Sequence, residues 1–115
     1  MNFARLSDRY SVATQIQPAD VEHFAEQGFK IVICNRPDGE DPGQPSAESI
    51  REACEQQGIE FHMIPMSGRW VSEDTVDRFL EILDRADGPV LGYCRSGTRS
   101  AILWQMASQK AGARC

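Results

Sequence analysis

The run Tyr93-Cys94-Arg95-Ser96-Gly97-Thr98-Arg99-Ser100 sets one thiol among two arginines, a glycine and three aliphatic hydroxyls. A free cysteine is mostly protonated at neutral pH, with an ordinary pKa of about 8.5, and only the thiolate attacks well. An apolar strand-like stretch precedes Cys94 and a helix-like stretch follows it. That arrangement brings backbone N–H groups and the positive end of a helix to the sulfur. Arg95 and Arg99 add fixed positive charge, and Gly97 can take the positive φ that turns consecutive amides inward around an anion. Ser100 is placed either to donate its hydroxyl to the thiolate or to cap the helix. The pattern predicts Cys94 as a nucleophile in an anion-binding loop, with Arg99 as its catalytic partner and Arg95, Ser96, Gly97, Thr98 and Ser100 around the anion. The competing reading, Cys94 as a small apolar filler, sits badly with two arginines beside it, because buried arginine requires an anionic partner.

Positioning such a loop requires a strand that ends at it and a helix that starts from it. Strand-like segments cover about Tyr10 to Ala13, Phe29 to Cys34, Ile59 to Ile64 and Val90 to Tyr93. Between them lie helical patterns. Pro18 opens one with Val21, Phe24 and Ala25 on a face; Ser46 caps a second, running to about Gln57 with Ile50, Ala53 and Cys54 inward; Ser72 caps a third with Val76, Phe79, Leu80 and Leu83. A last helix runs from about Arg99 to Lys110 with Ile102, Leu103 and Met106. Alternation of this kind predicts a three-layer α/β/α domain with a mostly parallel sheet of four to five strands and right-handed crossovers. Ligands in such folds bind beyond the carboxyl ends of the strands. The loops 35–45 and 65–71 share that end, which makes Arg36, Asp38, Glu40, Ser67 and Arg69 candidates for the rim. Each also has a plainer reading as a solvated loop residue, and Asp38-Gly39 as a simple turn.

Length and composition limit the alternatives. At 115 residues the chain suits one domain spanning 1–115. A formal charge of −5 argues against a nucleic-acid surface. The opening Met1 to Tyr10 lacks the apolar core of a secretory signal, and no apolar run approaches the length of a membrane span, so a cytoplasmic protein without nucleic-acid or membrane partners is expected. The cysteines at 34, 54, 94 and 115 have no zinc-like spacing and no disulfide framework. Cys54 and Cys34 read as core residues, Cys34 with a secondary reading as a resolving thiol for Cys94. With only His23 and His62, both read as structural, no metal and no cofactor is expected. Trp70 and Trp104 are open between core and surface roles.

The loop Tyr93 to Ser100 resembles the active loop of single-domain rhodaneses. Nearly the whole chain resembles the phosphatase-like domain of beta-lactamase-hydrolase-like proteins, through Ser11-Val12-Ala13, Asn35-Arg36-Pro37-Asp38-Gly39-Glu40, Gly43-Gln44-Pro45-Ser46, Ile64-Pro65 and Tyr93 to Ser100. That resemblance implies a dual-specificity-phosphatase-like fold, and an activity that is sulfur transfer in some members and phosphatase in others. Fusion of the same domain to a sulfur dioxygenase of the metallo-beta-lactamase fold implies persulfide chemistry and a possible persulfide dioxygenase partner.

Two features weigh these activities. Cysteine phosphatases resemble one another in a Cys-x5-Arg loop, whereas Cys94 and Arg99 are separated by four residues, and a tighter ring of amides favours a persulfide over a tetrahedral phosphate. Phosphate ester cleavage also expels an alkoxide that needs a proton, and the related phosphatases carry an Asp on the loop matching Pro65 to Trp70, which here has no carboxylate. Sulfite or a thiolate leaves without one. The sequence therefore favours a sulfurtransferase that passes sulfane sulfur from a small anionic donor, thiosulfate or a low-molecular-weight persulfide, through a Cys94 persulfide. Arg99, Arg95, Arg36 and Arg69 would bind the donor. The alternative is a phosphatase acting on a phosphoester through phosphocysteine, with Asp38 as acid; a third reading is a non-catalytic anion-binding or oxidation-sensing module.

Overall fold

The computed structural model describes residues 3–68 and 70–114, with side chains up to Ala111. Five strands form one sheet: β1 (Phe3–Arg5), β2 (Tyr10–Ala13), β3 (Ile31–Cys34), β4 (Glu60–Met63) and β5 (Val90–Tyr93), in the order β1-β2-β5-β3-β4. β2 and β3 both lie parallel to β5, β4 is parallel to β3, and only β1 is antiparallel. A single turn of 3-10 helix at Pro18–Asp20 leads into α1 (Val21–Glu26); α2 (Ala47–Gln56), α3 (Glu73–Arg85) and α4 (Thr98–Arg114) complete the chain.

β3 and β5 are apolar throughout because both of their faces are covered. Alternate residues serve opposite cores. Ile31, Ile33 and Val90 join Phe79, Leu80 and Leu103 beneath α3 and α4, while Val32, Cys34, Leu91 and Tyr93 join Phe24, Ile50 and Cys54 beneath α1 and α2. Each fully buried Ile, Leu or Phe contributes about 1.5–3 kcal/mol of transfer free energy. Ser46 and Ser72 cap α2 and α3 as expected, accepting from the Ser49 and Thr75 amides. The result is the three-layer, mostly parallel architecture expected from the sequence.

Two local expectations are corrected. β1 was not among the expected strands: Phe3, Ala4 and Arg5 are all exposed, so no burial pattern marks them, and Phe3 is held edge-on against Phe24 and Phe29. α4 begins at Thr98, within a residue of the expected start, but faces inward differently. Its inward stripe is Ser100, Leu103 and Ala107, whereas Ile102 is half-buried and Met106 exposed, because the helix is rotated to bury the small and polar residues nearest the loop. Trp70 is 80% exposed and Trp104 packs partly against the α3–α4 core.

Candidate active site

β5 is the central strand, and its carboxyl end feeds the loop 94–97 straight into α4. Segments following β2 and β3 flank it. Gly92 is what lets the strand approach its surroundings: a Cβ there would lie 2.0 Å from the Tyr10 hydroxyl, which donates to the Ser100 carbonyl at 3.4 Å. Gly97 has φ of +90°, the left-handed conformation that only glycine adopts freely, and its amide donates to the Cys94 sulfur at 3.1 Å.

Cys94 is completely buried. Burial by itself would push its thiol up, but the backbone amides of Ser100, Arg99, Ser96 and Gly97 outweigh that and pull it below the ordinary cysteine value. Among the described residues the other cysteines behave differently. Burial pushes the Cys34 thiol up, and burial together with the neighbouring Glu55 charge pushes Cys54 up to about 12.

The arginines are held from the loop after β3. The Arg99 guanidinium grips Glu40 with two teeth, Nη1 to Oε2 at 2.7 Å and Nη2 to Oε1 at 2.8 Å; Nη1 also donates to the Met66 carbonyl at 2.7 Å, and Cys94 lies within the guanidinium's reach. Arg36, only 3% exposed, donates to Glu40 at 2.9 Å, to Asp41 at 2.6 Å and to the Gln15 side chain at 3.0 Å. Arg95 is largely exposed and pairs with Asp41 at 3.2 Å. A cleft of about 530 Å³ opens between these groups, lined by Glu40, Asp41, Arg95, Ser96, Thr98 and Arg99 together with Gly68 and Ile102.

Of the residues expected at the site, Cys94, Arg95, Ser96, Gly97, Thr98 and Arg99 converge on the loop, and Arg36 supports it from behind. Ser96 donates to the Thr98 hydroxyl at 2.9 Å. The Ser100 hydroxyl takes neither expected partner: it donates to the Asn35 side-chain oxygen at 2.8 Å, and what Ser100 gives the sulfur is its amide. Asp38 turns to α2, accepting from the Ala47 amide at 2.8 Å. Ser67 is exposed, and Arg69 lies outside the described residues, as does Cys115. Sequence reasoning missed Asn35. It is fully buried, its amide donates to the Tyr93 carbonyl at 2.8 Å and its side chain to the Ile64 carbonyl at 2.9 Å, so it ties the ends of β3, β4 and β5 to α4. The signals for it were its place in the run Asn35 to Glu40 that carries the family resemblance and a polar residue directly after a buried strand. Gln15, Asp41 and Gln44 were missed as well.

A family model for the phosphatase-like domain of beta-lactamase hydrolase-like proteins matches residues 2–112. The chain belongs to that family. The beta-lactamase hydrolase-like protein of Agrobacterium fabrum is 36% identical over 104 residues, which cover 90% of this chain and 24% of that protein. The chain thus spans about a quarter of that relative's length. A phosphatase candidate from Neisseria meningitidis superimposes with a TM-score of 0.80 at 38% identity, covering 88% of this chain and 72% of that one. The catalytic core of the PP-IP phosphatase Siw14 from S. cerevisiae, in complex with citrate, shares the fold with a TM-score of 0.68 at 18% identity, over 94% of this chain and 65% of that one. The domain is thus phosphatase-like, and the comparisons lend nothing to the sulfur transfer that the sequence favoured. Among the described residues no helix is long and apolar enough to cross a membrane.

Proposed function

We propose that this phosphatase-like domain is a cysteine-dependent phosphatase working through phosphocysteine at Cys94. One observation carries the reading: the Gly97 amide donates to the buried Cys94 sulfur at 3.1 Å where the loop enters α4, and the backbone of Ser100, Arg99 and Ser96 acts with it to lower the thiol's pKa against the effect of burial. The same amides, with Arg99, suit the equatorial oxygens of a phosphoryl group. In the first step the Cys94 sulfur bonds to phosphorus as the bond to the carrier oxygen breaks, and the electron pair leaves with that oxygen. In the second, water attacks phosphorus and the sulfur leaves as thiolate. The proton released by water passes to solvent through the open cleft, and the product is inorganic phosphate.

The surroundings of the loop bear on which esters are cleaved. Glu40 and Asp41 both face arginines, and Asp38 caps α2. None of the three stands as a free acid beside a leaving oxygen. Esters whose leaving group is stable as an anion, such as phenols, therefore react faster than alkyl esters.

The same feature favours a second reading, sulfur transfer through a Cys94 persulfide from an anionic donor, because sulfite leaves thiosulfate without a proton. Asp38 as the acid of the phosphatase reading is not favoured, since its carboxylate is committed to the α2 amide. Hydrolysis of 4-nitrophenyl phosphate, measured beside cyanide-dependent thiosulfate cleavage on the same preparation, separates the two. Phosphate release that disappears in Cys94→Ser, with no thiocyanate formed, supports the phosphatase; the reverse pattern makes sulfur transfer the function.

A further inference from the structure

The Arg99 guanidinium, the cation that reaches Cys94, is already filled. Glu40 occupies it in the two-toothed geometry that a phosphate or sulfonate would use. This carboxylate is not a stray surface group. Arg36, itself buried, grips Glu40 Oε1 from behind, the Gln44 side chain accepts from the Glu40 amide at 3.1 Å, and Gln44 donates to the Pro37 carbonyl at 2.9 Å. The loop after β3 is thus braced to present a negative charge to Arg99. The Arg99 guanidinium, and after it Arg36, keeps Glu40 down at about 2, so that charge is present at neutral pH.

We propose that Glu40 is an internal stand-in for the substrate's anion, which the incoming tetrahedral oxyanion must displace from Arg99. The inference rests on the reading of the Cys94 loop as an oxyanion site, and it holds for a phosphoryl or a thiosulfate substrate alike. Displacement needs no unfolding of the loop, because Glu40 keeps Arg36 when it gives up Arg99. A doubly charged oxyanion that also reaches the loop amides outcompetes a single carboxylate that does not. In the empty protein the contact keeps Arg99 paired and weakens the apparent affinity for free phosphate, since every binding event includes the loss of an existing ion pair. Glu40 thereby sets the affinity of the site without touching the reacting phosphorus.

Titration calorimetry with inorganic phosphate and with tungstate tests this on the intact chain, in wild type, Glu40→Gln, Glu40→Ala and, as a control that removes an arginine-paired carboxylate at the start of β4, Glu60→Gln. Gln cannot hold Arg99 by charge, so Glu40→Gln binds both anions about tenfold tighter than wild type, and Glu60→Gln changes binding by less than about threefold. Glu40→Ala gives the same direction should the Gln side chain find a new partner. Weaker or unchanged binding in both Glu40 variants, with melting temperatures near wild type, would overturn the inference and make Glu40 a residue that merely orients Arg99. Absence of anion binding in every variant would also overturn it. Tighter anion binding in Glu40→Gln with no hydrolysis of any phosphate ester by wild type would leave the exchange standing while the phosphatase reading falls.

Discussion

Cys34 and Cys94 sit at the carboxyl ends of two neighbouring parallel strands, both buried, one as the last residue of β3 and the other just beyond β5. Their chemistry is opposite. The Cys34 thiol donates to the Arg36 carbonyl at 3.2 Å, and burial pushes it up, only partly offset by the Tyr93 hydroxyl and the Arg36 backbone. Cys94 meets four amides, and they hold it down. Strand position therefore does not make a nucleophile. After Cys34 the chain presents a carbonyl, whereas after Cys94 Gly97 takes a positive φ and the start of α4 turns its unpaired N–H groups back onto the sulfur.

Exchanging the side chains breaks the comparison most sharply. Cys94→Ser lowers turnover of 4-nitrophenyl phosphate about a thousandfold or more, as loss of a nucleophile does. Cys34→Ser leaves kcat within about threefold and costs about 1–3 kcal/mol in denaturant unfolding, since a hydroxyl replaces a buried thiol. Next in size is Gly97→Ala. Forcing a Cβ onto φ of +90° costs about 1–3 kcal/mol, and misaiming the amide that reaches the sulfur lowers kcat by about a hundredfold.

A pH series sharpens the same contrast. Alkylation of native protein by iodoacetamide labels Cys94, with a rate midpoint below the ordinary cysteine value, and spares Cys34. The two groups also act on stability with opposite sign. The lowered Cys94 pKa contributes stability that is present above the ordinary thiol value and lost as pH falls through the lower folded value. The raised Cys34 pKa contributes stability that is present below the ordinary value and lost as pH rises through the higher folded one. Melting temperatures of Cys94→Ala and Cys34→Ala from mildly acidic to alkaline pH, compared with wild type, check both directions, the first below the ordinary thiol value and the second above it. The smallest expected effect belongs to Ser100→Ala, which leaves the Asn35 side-chain oxygen without its partner at the junction between the two strand ends. It costs about 1–2 kcal/mol by thermal unfolding and changes kcat only a few-fold.

How much of this was legible in the sequence follows from how local each feature is. The loop around Cys94 was readable because its parts are consecutive: an apolar strand, a glycine where φ turns positive, and a helix start. Cores beneath α1, α2 and α3 were readable from periodicity. β1 was not, since three exposed residues carry no alternation and its pairing with β2 is set by tertiary register. Nor was the inward face of α4, where Ile102 and Met106 are apolar yet Leu103 and Ala107 are the buried pair. Arg36, Asp38 and Glu40 could be placed on the rim from loop position alone. That Arg36 would brace Glu40 and Asp41 against Arg99 and Arg95 depends on β5 inserting between β2 and β3, which no local pattern encodes. The Ser100 hydroxyl was sent to the wrong partner for the same reason, because Asn35 comes from another strand.

The most direct test of Cys94 as the nucleophile is a rapid acid quench of wild-type protein during turnover of an aryl phosphate, followed by peptide mapping by mass. A phosphoryl group is expected on the peptide carrying Cys94, absent from the Cys34 peptide and absent from Cys94→Ser. Steady turnover of the ester by Cys94→Ser, or a phosphoryl group trapped on any other residue, would contradict it.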